Sequence, residues 1–192
     1  VPVDHPPHAI HGLGTGQAWM PADDGFELDL DGLWPLGGRV ATRFHLTRDG
    51  LTMALTVTAG EQPMPVVLGW HPCFLRRLGD GEPVELGFTA ARWWPRGADG
   101  LPIGGTEAPP PGPWDDCFGG VERPPRLTWP GQLAVTLEAD TDTWVVFDER
   151  DHTICVEPQT APPDAFNIGG ATVLDPGEAA GLRLDIGWDR QG

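Results

Sequence analysis

Short alternating runs dominate the chain. Leu51-Thr52-Met53-Ala54-Leu55-Thr56-Val57-Thr58 places its larger apolar side chains at odd positions and Thr at three of the four even ones. A period of two is the signature of a half-buried strand. Arg43-Phe44-His45-Leu46-Thr47-Arg48 precedes it, and the intervening Asp49-Gly50 predicts a hairpin. Leu133-Ala134-Val135-Thr136-Leu137-Glu138 and Leu182-Arg183-Leu184-Asp185-Ile186 alternate in the same way. Val66-Val67-Leu68, Thr143 to Phe147 and Thr153 to Val156 read as shorter, more buried strands. No helical face survives, because Pro or Gly interrupts every window of a dozen residues. Many short strands separated by turn clusters predict an all-β sandwich or barrel.

Composition sharpens this picture. The 27 Gly and 22 Pro among 192 residues approach the usage of disordered chains. Nine Trp and the alternating segments argue instead for a packed core. The length suits a single domain, residues 1–192, with a core that needs no metal or disulfide staple. A formal net charge of -16 disfavours nucleic acid, phospholipid headgroups and polyanionic substrates, which leaves neutral or cationic small molecules. No apolar run reaches membrane-spanning length. Lys, Ser and Tyr are absent, which removes Schiff-base chemistry, serine nucleophiles and the P-loop lysine. Cys73, Cys117 and Cys155 are odd in number and lack metal spacing, so they read as reduced, half-buried thiols of a cytoplasmic protein. The chain opens at Val1 in a Pro-rich extended stretch, which reads as a processed or truncated start.

Three places could carry chemistry. Glu157 ends the Thr153–Val156 run and precedes Pro158. A carboxylate at the mouth of a buried strand is partly desolvated, which raises its pKa and suits it to accept a proton near neutrality. Gln159-Thr160 and the run from Pro162 to Asn167 would form a polar rim beside it; the plainer reading is a strand-end glutamate in water. His71 lies in Leu68-Gly69-Trp70-His71-Pro72-Cys73-Phe74, where Gly69 permits close approach and Pro72 favours extended backbone. Trp70 and Phe74 could wall a sugar ring while His71 donates a proton; the alternative is a core histidine. Asp115-Asp116-Cys117-Phe118 follows a long Pro/Gly loop, Gly97 to Pro113. Its carboxylates are either a solvated turn or acceptors for substrate hydroxyls. His5, His8 and His11 would share one face of a polyproline II helix, but the spacing matches no zinc pattern and no metal is assigned. Gly12-Leu13-Gly14-Thr15-Gly16 lacks the strand and helix a nucleotide loop needs.

Taken together, three segments resemble the aldose 1-epimerase (galactose mutarotase) family. They are Ala9-Ile10-His11-Gly12-Leu13-Gly14 with Trp19 downstream, Gly69-Trp70-His71-Pro72-Cys73-Phe74, and Ile154-Cys155-Val156-Glu157-Pro158-Gln159-Thr160. Asp115-Asp116-Cys117-Phe118 is a weaker fourth match. The resemblance implies a large twisted antiparallel β-sandwich, the galactose mutarotase-like supersandwich, with a sugar on its concave face. It implies a cofactor-independent isomerase that opens and recloses a hexose ring, galactose or glucose, with Glu157 as general base and His71 as general acid. His11 and Asp115, with Asp116 as the fallback, would hold sugar hydroxyls beside Trp70 and Gln159. The resemblance also implies strands upstream of the His11 motif, including an arginine that clamps the sugar, and on this reading the chain is expected to lack them. An aromatic residue usually stands where Cys73 does. Alternative readings are a non-catalytic carbohydrate-binding protein or inactive mutarotase fragment, and a glycosidase pairing Glu157 with a loop aspartate. A sugar-phosphate epimerase would need an arginine cluster, for which Arg76 and Arg77 are candidates. No oligomeric state is assigned.

Overall fold

The computed structural model describes Val3 and residues 6–191. Its strands are β1 (Met20–Ala22), β2 (Gly25–Asp29), β3 (Arg39–Leu46), β4 (Gly50–Thr58), β5 (Met64–Val66), β6 (Cys73–Leu75), β7 (Glu85–Gly87) and β8 (Arg92–Trp93). They continue as β9 (Asp115–Gly119), β10 (Arg126–Trp129), β11 (Leu133–Ala139), β12 (Thr143–Phe147) and β13 (Thr153–Gln159). A single helical turn, α1 (Ala165–Ile168), precedes β14 (Thr172–Leu174) and β15 (Ala179–Arg190). The ten strand pairs of known register run antiparallel, so the all-β antiparallel expectation holds.

Two compact units divide the chain: Val1–His45 with Met53–Val66 and Thr172–Gly181, and Leu46–Thr52 with Val67–Ala171 and Leu182–Gly192. In the first, β1, β2 and β3 form a meander, with Phe26 opposite Thr42 and Leu28 opposite Val40. β4 lies beside β3, as the Asp49-Gly50 signal predicts. Gly25 is required by close approach, because a Cβ there would sit 1.9 Å from the Thr42 carbonyl oxygen. Arg43 bridges Asp24 at 2.7 Å and Glu27 at 2.8 Å.

The second unit is a β-sandwich. One layer has the order β15-β11-β10-β7 and the other β6-β13-β12-β9-β8. Their facing sides meet around Leu127, Trp129, Leu137, Phe118, Trp144, Val146, Ile154 and Val156, all essentially without solvent contact. Trp129 of β10 reaches across the layers: its ring centroid lies 6.4 Å from that of Phe74, and its indole N–H donates to the Leu75 carbonyl at 3.0 Å. A buried indole keeps its large apolar contribution only when that N–H finds an acceptor.

β13 extends further than its sequence suggests. The expected end at Val156 is corrected: the strand continues through Glu157 and Pro158 to Gln159, paired residue by residue with β12. Pro158 is tolerated for a geometric reason. Its carbonyl accepts from Trp70 N–H at 3.0 Å, away from β12. In an antiparallel strand the N–H and C=O of one residue point to the same side, so the missing proline donor removes no bond to β12.

Candidate active site

The register of the five-stranded layer sorts its side chains into two faces. Ile154, Val156, Val146, Phe118 and Phe74 point into the sandwich. Cys155, Glu157, Val145, Cys117, Asp115 and Cys73 share the opposite face, since Val145 pairs with both Glu157 and Cys117, and Cys155 pairs with Cys73. Glu157 therefore sits mid-sheet, not at a strand mouth, and is only 4% exposed.

Burial pushes the Glu157 carboxyl up to about 8; the negative charge of Asp115 adds to the rise, and a hydrogen bond from the Gln159 side chain opposes it. Glu157 Oε1 lies 3.3 Å from Nε2 of His71, whose side chain is half exposed. The segment 69–72 carrying His71 is pinned to β13. Trp70 N–H donates to Pro158 O, Thr160 N–H donates to Leu68 O at 2.9 Å, and Gly69 forms a bridge with Gln159. A side chain at Gly69 would come within 3.3 Å of Gln159 Cγ, so the close approach expected there is real.

The remaining sequence candidates divide. Asp115 shares the Glu157 face, whereas Asp116 falls in register with Val146 and Val156. The Gln159 side chain hydrogen-bonds Glu157. Trp70 lies half-buried, its indole N–H held by the Leu182 carbonyl at 3.2 Å. Phe74 does not wall the site; it belongs to the sandwich core against Trp129. His11 is exposed and lies in the first unit, where its carbonyl accepts from the Thr15 hydroxyl at 2.9 Å. Within the same segment, the Trp19 indole N–H donates to Gly14 O at 3.0 Å. His5 lies outside the described residues. Arg76 donates to the carbonyls of Arg150 and Asp148, and Arg77 to that of Gly81. Both guanidiniums are thus engaged with backbone.

Two features escaped the sequence. Arg96 lies 3.4 Å from Asp115 Oδ2 and 3.4 Å from Asp116 Oδ1. The β8–β9 register pairs Trp93 with Phe118, and extending it by three residues brings Arg96 opposite Asp115. That pairing leaves no mark in the Trp94-Pro95-Arg96 string itself. The cysteine expectation is corrected as well. Cys73 and Cys155 are joined by a disulfide, because β6 and β13 set them directly opposite each other with Cα atoms 4.2 Å apart. Their sequence separation of 82 conceals this. Cys117 stays a free, buried thiol that burial, and then the charge of Asp116, pushes up to about 12. At that value it is inert as a nucleophile. Cys73 Sγ lies 3.5 Å from His71 Nδ1, and His71, Cys73 and Cys155 are the group among the described residues whose ligand atoms could share a metal ion.

The second unit is thus an antiparallel β-sandwich that holds a desolvated carboxylate in contact with an imidazole. The sequence profile of the family described as aldose 1-epimerase matches residues 1–186, and the chain belongs to that family. A curated relative, the uncharacterized protein YphB of Escherichia coli (strain K12), is 38% identical over 79 residues, which cover 38% of this chain and 27% of that protein. The match thus spans about a quarter of the curated relative's length. A galactose mutarotase-like protein from Clostridium acetobutylicum superposes with a TM-score of 0.85 at 16% identity, covering 99% of this chain and 72% of that one. A galactose mutarotase-like protein from Lactobacillus casei ATCC 334 gives 0.72 at 20% identity, covering 90% and 72%. At these identities the structural likeness shows the fold. No helix among the described residues is long and apolar enough to cross a membrane.

Proposed function

We propose that the protein is a mutarotase that interconverts the α and β anomers of a hexose, with Glu157 as base and His71 as acid. The observation that carries this reading is the 3.3 Å contact between Glu157 Oε1 and His71 Nε2 on one sheet face. Mutarotation needs one group to take a proton and another to give one, at two oxygens on the same carbon. The Glu157 carboxylate takes the proton of the anomeric hydroxyl; the C1–O1 bond becomes a carbonyl as the C1–O5 bond breaks. The ring oxygen takes its proton from His71 Nε2. Rotation about C1–C2 presents the other carbonyl face, and reclosure returns both protons to the groups that began with them. Nothing is consumed.

Burial supports the base role by making the Glu157 carboxyl a stronger proton acceptor than an exposed carboxylate. Asp115, held by Arg96, would accept hydrogen bonds from sugar hydroxyls, and Gln159 would exchange them. A neutral hexose such as galactose or glucose suits the net charge of -16 better than a sugar phosphate, and the backbone-bound Arg76 and Arg77 leave a phosphate without a cradle there. A cytoplasmic setting belongs to this reading; there the Cys73–Cys155 bond would meet reducing conditions.

The test is anomer exchange of freshly dissolved α-D-glucose and α-D-galactose, followed by polarimetry or NMR. Each positioned acid or base contributes typically about 10²- to 10⁴-fold. Glu157→Gln is therefore expected to lower the rate at least about a hundredfold while sugar binding persists. Unchanged exchange in that variant, or no acceleration by the folded wild type, sinks the acid–base assignment; binding without turnover would identify a carbohydrate-binding protein instead.

A further inference from the structure

We propose that, once the Cys73–Cys155 disulfide is reduced, Cys73, Cys155 and His71 form a binding site for a thiophilic divalent metal ion, zinc being the natural occupant. The ligand atoms of the three residues lie within 4.8 Å of one another. Cys73 Sγ already stands 3.5 Å from His71 Nδ1. With Zn–S near 2.3 Å and Zn–N near 2.0–2.1 Å, the sulfur-to-nitrogen edge of a tetrahedral site is about 3.5 Å, so this edge is in place before the metal arrives. Cys155 faces Cys73 across the β6–β13 pair, so both thiolates approach the ion from neighbouring strands.

The outer shell fits too. A histidine that binds zinc through one ring nitrogen usually donates its other N–H to a carboxylate. His71 offers Nδ1 to the sulfurs and Nε2 to Glu157 Oε1 at 3.3 Å. His71 and Cys73 are exposed while Cys155 is buried, which provides an entry path on one side and a dry wall on the other. Three protein ligands leave a fourth position for water.

The steps balance. A dithiol or phosphine reductant supplies two electrons and is itself oxidised; each cysteine sulfur gains one electron and one proton. Zinc then binds two thiolates and the lone pair of Nδ1, and two thiol protons leave to solvent. Inhibition follows if the acid role proposed above for His71 holds, because a metal on Nδ1 fixes the ring with its Nε2 proton committed to Glu157 instead of to the sugar ring oxygen. The binding itself does not rest on that role.

Cobalt(II) serves as the probe, because thiolate ligation gives charge-transfer absorption in the near ultraviolet and tetrahedral geometry gives strong visible bands. Phosphine-reduced, desalted full-length protein is expected to show both with one cobalt per chain, and the disulfide form neither. Cys117→Ala should keep the bands; Cys73→Ser and His71→Ala should weaken cobalt binding at least tenfold. Folded, reduced wild type without thiolate–cobalt bands, or bands undiminished in His71→Ala, overturns the site. The wild-type comparison of the two redox forms stands even if a variant misfolds. Stoichiometric zinc should slow anomer exchange by the reduced protein at least tenfold, with recovery on chelation. A cobalt site without zinc inhibition would leave the metal site intact and remove the acid role of His71 instead.

Discussion

Glu157 shows how much one residue's surroundings decide. Glutamate is readable as a candidate from its place after a buried run, yet the string by itself favours the plainer alternative, a solvated strand end. Position on a sheet face shared with Asp115 and Cys117 removes that alternative, since the side chain is 4% exposed. A base works only when ionised, and this carboxyl is held up to about 8. In the disulfide form, kcat/KM should accordingly rise about tenfold per pH unit on the limb below about 8 and level off above it. Asp115→Asn removes a nearby negative charge that raises the carboxyl, so the midpoint of that limb should move to lower pH. A pH–rate profile of the two proteins checks this, and an unmoved or raised midpoint would count against Asp115 as the neighbour that matters. His71 was legible from Gly69 and Pro72 around it. Its 3.3 Å approach to Glu157 was not, because residues 86 positions apart in sequence meet only through the pairing of residues 69–70 with Pro158 and Gln159.

At the scale of elements, alternation located the strands well where one face is buried and the other half-open. β4 and β11 fall where the period of two places them, and β12 where the short buried run does. Alternation failed for β13, buried on both faces from Ile154 to Pro158. There a proline looked like a terminator, although its missing N–H faces away from β12. The β6–β13 pair also carries the disulfide, which closes a loop of 82 residues. Cross-linking a loop of that length stabilises a domain by about 4 kcal/mol on chain-entropy grounds. Reduction in the absence of metal should lower the unfolding free energy by roughly that amount. Denaturant titrations of the oxidised and reduced protein measure it; equal midpoints would mean the cross-link constrains little.

For the whole molecule, charge is the property with the longest reach. A net charge of -16 repels anions before any contact is made. Anomer exchange of neutral glucose should therefore be insensitive to ionic strength. Exchange of glucose 6-phosphate should be slower at low salt and recover toward the neutral-sugar rate as salt screens the field, since the Debye length shrinks from about 30 Å at 0.01 M to about 10 Å at 0.1 M. Rates measured across that range check it, and a faster phosphate at low salt would point to a local cationic site. The family assignment belongs to this scale too: motifs each of moderate specificity gain their weight from order along the chain, and the profile match over residues 1–186 agrees with them.

What the amino-acid string determined alone is what short-range physics can encode. Alternation set the strand class, Asp49-Gly50 the hairpin, the absence of Lys, Ser and Tyr the excluded chemistries, and ordered motifs the family. Tertiary structure alone decided the rest. It chose Asp115 over Asp116 for the Glu157 face, brought Arg96 against both, turned Phe74 into the core, and joined two cysteines expected to be reduced. Each of these depends on which strand pairs with which, and in what register. In a sheet of long-range antiparallel contacts, a shift of one residue reverses every side chain, so the site exists only once the pairing is made.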